Sequence, residues 1–148
     1  MQFPVNLVLT GRPVLLVGAG RIALRKAEQL LACGADLTVV APEIRAEFAD
    51  TGARLVRRRV EPGDLDGARL VVTATGDREV DQWLFDECER RGIWINSADD
   101  PARCTFTLPA VVRRGPVMAT ASTGGASPAL ASFLRRWLDD VLPGELAE

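Results

Sequence analysis

The apolar positions of this chain switch repeatedly between a strand pattern and a helix pattern. "PVLLVGAG" (13–20) is continuously apolar and ends in glycines, as expected of a strand buried on both faces of a parallel sheet. "RIALRKAEQLLACG" (21–34) then places Ile22, Ala23, Ala27, Leu30 and Leu31 at helical spacing, with Gly34 as a C-terminal stop. "ADLTVVAP" (35–42) reads as a second strand closed by Pro42, "IRAEFADTG" (44–52) as a short helix, and "ARLVRRRV" (53–60) as a third strand with its arginines at an exposed end. "ARLVVTATGD" (68–77) is a fourth buried strand running into a turn. "REVDQWLFDECERRG" (78–92) is a helix with Val80, Trp83, Leu84 and Cys88 along one side, and "IWINSAD" (93–99) is a fifth strand. Strands alternating with helices predict an α/β, Rossmann-like doubly wound parallel sheet over residues 1–102.

After Pro101 the pattern changes. "CTFTLPAVVRRGPVMATAS" (104–122) holds two strand-like runs broken at "RRGP", with no helix between them, which predicts a short antiparallel β-hairpin. "TGGASPALASFLRRWLDDVLPGELAE" (123–148) follows as a glycine turn and a helix, with Ser127 as N-cap, Pro128 at the first helical position, and Ala131, Leu134 and Leu138 as an apolar stripe. Residues 103–148 therefore form a second segment of hairpin plus helix.

Composition narrows the chemistry. A chain of 148 residues, 47% apolar, suits one core-bearing domain with a small appendage, and a net charge of −2 argues against a generally basic nucleic-acid binder. No apolar run reaches the ~18 residues of a membrane span, and "MQFPVNLVLTGRPV" has no signal-peptide pattern, so a cytoplasmic protein is expected. The three cysteines, Cys33, Cys88 and Cys104, are widely spaced and are read as buried reduced thiols. The chain has no histidine and no tyrosine. That removes Ser-His-Asp, Cys-His and Tyr-Lys machinery and any Cys/His zinc site, and no metal centre is expected. Proton transfer is left to Asp, Glu, Lys, Cys or the substrate.

Gly18-Ala19-Gly20-Arg21-Ile22-Ala23 fits GxGxxA between a strand and a helix. The first glycine permits the tight turn, the second lets a pyrophosphate approach the backbone, and the small third residue lets helix pack on strand. Free N–H groups at the helix start then face the phosphates. The acid that usually holds the adenosine ribose is missing: Ala41 ends the second strand, with Glu43 two residues on and Arg45 close by. NAD is the expected cofactor. Glu43 is either a ribose contact or a solvated acid at a helix start. Thr73, Ala74 and Thr75, ending the fourth strand at the sheet's carboxyl edge, are candidates for the nicotinamide half, with Asp77 as a cap for the next helix.

These segments together, with "INSADDPARCTFTLPAVVRRGPVMATASTGGASPALASFLRR" and the Arg25-Lys26 pair, resemble the siroheme synthase N-terminal domain, the precorrin-2 dehydrogenase family, over nearly the whole chain. The resemblance implies NAD-dependent oxidation of precorrin-2 to sirohydrochlorin in siroheme biosynthesis. In some members iron insertion follows, with Fe2+ as the chelatase substrate. It also implies a homodimer formed through the segment after the Rossmann part; the additional helices with which members of the family continue are missing from the sequence to Glu148. It places the catalytic aspartate in an N-x-x-D-x-P turn, here Asn96-Ser97-Ala98-Asp99-Asp100-Pro101, so Asp99 carries the chemistry and Asp100 falls on a variable position. Dinucleotide contacts carry over to Gly18, Gly20, Arg21, Ile22, Pro42 and Glu43. A phosphorylatable serine of some members falls at Thr123.

A strand-end aspartate suits a dehydrogenation, which removes a hydride and a proton, because a carboxylate can accept the proton. The plainer alternative is a turn-forming aspartate. A polycarboxylate substrate needs anion sites: "STGGASP" offers backbone N–H groups and the Ser122 and Thr123 hydroxyls. Asn96, Ser122, Thr123 and Gly124 are the substrate-binding candidates, with Arg103, Arg113 and Arg114 as added charge. A plain helix cap and solvated arginines are the competing readings. The rival function is an NAD-sensing Rossmann regulatory domain without catalysis, which would be expected to keep the acid that Ala41 replaces. A second rival is a chelatase with a degenerate cofactor site, against which the intact glycine loop speaks.

Overall fold

The computed structural model describes residues 2–144, which divide into two compact units: 5–106, and 107–144 together with 2–4. In the first unit, strands β1 (Pro13–Val17), β2 (Asp36–Val40), β3 (Arg54–Val56), β4 (Leu70–Thr73) and β5 (Trp94–Ser97) form one sheet in the order β3-β2-β1-β4-β5. Every pairing is parallel, and Val17 is in register with both Val40 and Thr73, which in turn pairs with Ser97. The carboxyl ends of β1, β2, β4 and β5 therefore finish level, and the four loops that follow emerge along one edge.

Two helices cover the sheet because their small and apolar residues match its faces. Helix α1 (Arg21–Ala32) buries Ala23 and Ala27 completely against a layer that includes Val14, Leu16, Leu37, Val39 and Val72. Helix α2 (Arg78–Arg91) buries Leu84 and Cys88 against Leu15, Val17, Val71 and Ile95 on the other side. It is capped by Asp77, which accepts from the N–H groups of Glu79 and Val80, and it ends at Gly92 in the left-handed region.

Several sequence expectations are corrected. The helix expected over 44–52 is a 3-10 turn, Ala46–Asp50, whose buried Phe48 is its one core anchor. Strand β3 stops at Val56, so the three arginines that follow lie outside the strand. Cys88 is buried, and burial pushes its thiol up to about 12, but Cys33 is exposed at the end of α1. The Rossmann unit also runs to Phe106, not 102. After the acidic turn the chain doubles back along β5: Thr105 N–H donates to Ile95 O (2.8 Å), Ile95 N–H to Thr105 Oγ1 (2.8 Å), and Asn96 Nδ2 to Phe106 O (3.0 Å). These bonds consume the outer edge of β5, so residues 104–106 belong to the sheet's unit.

In the second unit, β6 (Ala110–Arg114) and β7 (Val117–Ala121) pair antiparallel through a two-residue Gly115-Pro116 turn, tighter than the four-residue break read from "RRGP". Helix α3 (Pro128–Val141) packs on this hairpin, and its Ser127 cap accepts from Leu130 N–H at 3.2 Å. Ala131, Leu134 and Leu138 are half-buried, while Leu130, Phe133, Trp137 and Val141 form a second, exposed apolar stripe. No described helix is long and apolar enough to cross a membrane.

Candidate functional site

The glycine loop that follows β1 is shaped by contacts only glycine allows. Gly18 has φ +101°, and a Cβ there would lie 2.4 Å from Ala74 O. Its N–H donates to Val40 O, and Ala74 N–H donates to Val17 O, so the loops after β1, β2 and β4 are stitched together at their roots. Gly20 is the opposite case: a Cβ there would meet nothing within 4 Å. The space above it is open, which is where a pyrophosphate has to sit.

The helix starts distinguish this loop further. Asp77 caps α2 and Ser127 caps α3, but α1 has Gly20 at its N-cap, no side-chain cap and no acid in its first turn. Its first N–H groups and the positive end of its dipole are left for an anion. A cleft of about 770 Å³ opens there, lined by Gly18 and Gly20 with Pro42, Glu43, Ala74 and Thr75 among the expected residues. The open cradle at Gly20 and the uncapped helix fit a dinucleotide.

Of the other expected contacts, Arg21 and Ile22 open α1 and have their backbone N–H groups at its uncapped start. Arg21 is exposed and Ile22 half exposed, and neither side chain lines the cleft. Thr73 is fully buried, and its hydroxyl donates to Asp81 Oδ1. The reason is register: Thr73 lies on the α2 face with Val17 and Val71, so it cannot face the cofactor edge. Thr75 Oγ1 donates to the same Asp81 oxygen at 2.7 Å. Asp81, itself buried, thus ties the loop after β4 to the first turns of α2. Asp81→Ala strands the Thr73 hydroxyl and is expected to cost about 1–3 kcal/mol in urea unfolding. Asp81→Asn, whose amide oxygen still accepts, should recover part of the loss.

The acidic turn separates its two carboxylates. Asp100 Oδ1 accepts from Ala102 N–H at 2.9 Å, and its other oxygen pairs with Arg103. Arg103 also donates through Nε to Gln82 Oε1 at 2.9 Å, so it braces the turn and is not the free charge expected for substrate. The Cys104 thiol sits behind the turn: Ser97 N–H donates to its Sγ at 3.2 Å, and Sγ faces the Ser97 and Asp100 carbonyls. Burial pushes that thiol up. Asn96 is buried and donates from Nδ2 to Phe106 O, so that side of its amide is a clasp beneath the turn. Asp99 alone is exposed, and its carboxylate makes no hydrogen bond or ion pair among the described residues. It follows β5 by two residues, on the same edge of the sheet as the glycine loop.

In the second unit, the turn before α3 uses much of its own donor set. Thr123 Oγ1 accepts from Ser127 N–H and faces Ser127 O, both at 3.2 Å, and Gly124 N–H donates to Ser122 Oγ at 3.2 Å. Arg114 is taken by Asp139, and Arg113 is exposed. Sequence reasoning missed Arg59, Val60 and Trp83 in the cofactor cleft. Trp83 was readable only as part of the apolar stripe of α2.

The fold and the open glycine cradle define a Rossmann dinucleotide-binding domain. Residues 5–110 match a family model described as putative NAD(P)-binding. Siroheme synthase 2 of Aeromonas salmonicida (strain A449) is 44% identical over 145 residues, 97% of this chain and 30% of that protein. The siroheme synthase of Chromobacterium violaceum is 43% identical over 145 residues, 95% of this chain and 31% of that one. This chain thus spans about a third of the length of these relatives. A solved structure described as SirC, precorrin-2 dehydrogenase, superposes with a TM-score of 0.85 at 32% identity, covering 99% of this chain and 74% of that one. The chain belongs to the siroheme synthase and precorrin-2 dehydrogenase family of NAD(P)-binding proteins.

Proposed function

We propose that this chain is a precorrin-2 dehydrogenase that oxidises precorrin-2 to sirohydrochlorin with NAD. The observation that carries the reading is the level carboxyl edge of the sheet. It presents an open dinucleotide cradle after β1 and an unengaged carboxylate, Asp99, after β5. Bound NAD supplies the hydride acceptor. The chain's own residues do the rest. Gly18 lets the loop close on Ala74, Gly20 admits the pyrophosphate to the backbone, and the uncapped start of α1 binds it. Ala74 and Thr75, fixed by Asp81, form the wall on the β4 side. Asp99 takes the proton released as the macrocycle is oxidised, while Asp100, Arg103, Asn96 and Cys104 hold the turn that carries it.

The glycine turn Ser122-Thr123-Gly124 is proposed to hold substrate carboxylates through backbone N–H groups and the Ser122 hydroxyl proton. Thr123, whose oxygen closes the turn, shapes it.

The test is anaerobic incubation with precorrin-2 and NAD, following NADH and sirohydrochlorin together. Nucleotide binding with no turnover would favour a sensor domain instead. Adding Fe2+ to the product and looking for siroheme tests the iron-insertion step.

We further propose a homodimer built on the exposed α3 stripe of Leu130, Phe133, Trp137 and Val141. About half of each of these residues is exposed, and they share one face of α3; a contiguous apolar face of this kind suits an interface. Phe133→Glu with Trp137→Glu is expected to halve the mass measured by sedimentation equilibrium. A wild-type monomer at micromolar concentration would sink this reading.

A further inference from the structure

Three arginines follow β3 in a row, and the structure gives them three different environments. Arg57 Nη1 donates to Ile44 O at 3.3 Å. Arg58 forks onto both carboxylate oxygens of Asp64 at 2.7 Å each, which pulls the Asp64 carboxyl below its ordinary range. Arg59 lines the dinucleotide cleft, and its guanidinium makes no hydrogen bond or ion pair among the described residues.

Its place in the sheet says which part of a dinucleotide it would meet. Ala41 N–H donates to Val56 O at 3.1 Å, so the end of β2 is joined to the end of β3. Arg59 follows Val56 by three residues, a chain reach of about 10–11 Å at full extension. It therefore stands on the β2 side of the cleft, with Ala41, Pro42 and Glu43. In this fold class that side receives the adenosine ribose. The other charged groups lining the cleft are Glu43 on the same side, and Asp77 and Glu79 at the start of α2, past β1 and β4 in the sheet order. Asp77 is engaged as the α2 cap. Arg45, the basic residue nearest to β2 in sequence, is paired with Glu47 and does not line the cleft.

We propose that Arg59 reads the 2′-position of the adenosine ribose, so that the cleft accepts NADP as well as NAD. The proposal rests on the dinucleotide reading of the cleft. A carboxylate ending β2 normally accepts from the ribose 2′-hydroxyl and repels a 2′-phosphate. Ala41 takes that carboxylate away from the strand end and leaves Glu43, two residues on, as the acid on this side. A guanidinium then offers the planar fork that matches a phosphate. Glu43 remains to accept from the 2′-hydroxyl of NAD, so neither cofactor is left without a partner.

The experiment is calorimetric titration of the purified chain with NAD and with NADP, without tetrapyrrole, at low and at physiological salt. Wild-type protein is expected to bind both within about tenfold of each other. Its NADP affinity should fall more steeply with salt, since an exposed charge pair is screened. Arg59→Ala should weaken NADP about 10- to 100-fold, the loss of one charge-assisted contact, and NAD less than about threefold. Arg59→Lys should lie between. Glu43→Gln should shift the preference towards NADP. Equal weakening of both cofactors by Arg59→Ala would place Arg59 on the pyrophosphate or adenine and overturn the proposal. Wild-type protein that binds NAD and excludes NADP would overturn it while leaving the dehydrogenase reading intact. Binding of neither would overturn both.

Discussion

Asp99→Asn is expected to lose about 100- to 10,000-fold in kcat, the range for removing a positioned proton acceptor, with NAD affinity unchanged. The asparagine keeps the size of the side chain and its place on the turn, and removes only the ability to take a proton. The Asp99 carboxylate makes no hydrogen bond or ion pair among the described residues, so its replacement should also leave urea unfolding within about 0.5 kcal/mol of wild type. Asp100→Asn is the matched control one residue away. Its carboxylate holds Ala102 N–H and Arg103, so its loss weakens the brace of the turn. A stability cost of about 0.5–2 kcal/mol is expected, the range for replacing a cap, with a smaller fall in kcat. Steady-state kinetics with precorrin-2, together with NAD titration, separate the two. Equal kinetic losses at both positions, or normal turnover by Asp99→Asn, would show that the turn matters only as scaffold.

That asymmetry follows from the local chemistry of "DDP". The second acid, directly before a proline, is placed to accept from the N–H just past it, and this engagement leaves the first acid free. The glycine loop was legible because its glycines and the small Ala23 fall at fixed spacing within one strand-turn-helix unit, although the atoms that require Gly18, Ala74 O above all, come from the loop after β4. Other parts of the site are set by tertiary partners. Thr73 looked like a cofactor contact from its place at a strand end, but two-residue alternation puts it on the α2 face with Val71. A signal was present. Asp81 falls on the buried stripe of α2 with Leu84 and Cys88, and a carboxylate on a buried stripe requires donors, which Thr73 and Thr75 supply. Asn96 followed the same rule and turned inward to Phe106 O. The "RRR" run after β3 could not be divided by sequence at all. Which arginine meets Ile44 O, which meets Asp64 and which faces the cleft depends on how residues 57–64 pack. The α3 stripe was half read: Ala131, Leu134 and Leu138 suffice to seat the helix on its hairpin, whereas the second, exposed set of Leu130, Phe133, Trp137 and Val141 is not needed for that seat and left no local signal.

The two loop glycines should fail in opposite ways. Gly18→Ala places a methyl group 2.4 Å from Ala74 O, at φ +101°. The left-handed backbone costs an alanine about 1–2 kcal/mol, and the clash adds a further overpacking penalty of about 1–3 kcal/mol. The obstructing atom is backbone, fixed in turn by the Ala74 N–H to Val17 O bond, so it cannot swing aside as a side-chain tip would. A fall in the urea midpoint of unfolding is expected without any ligand present. Gly20→Val meets no protein atom within 4 Å of its Cβ, and Gly20 has φ −84°, which any residue adopts. Its folding stability should stay close to wild type. Its branched side chain occupies the space that the pyrophosphate needs over the α1 N-terminus, so NAD affinity should fall at least 100-fold by calorimetry. The first substitution damages the scaffold that makes the cradle and the second fills the cradle. If Gly20→Val bound NAD normally, the phosphates would have to lie elsewhere, and the assignment of the cleft would fall with it.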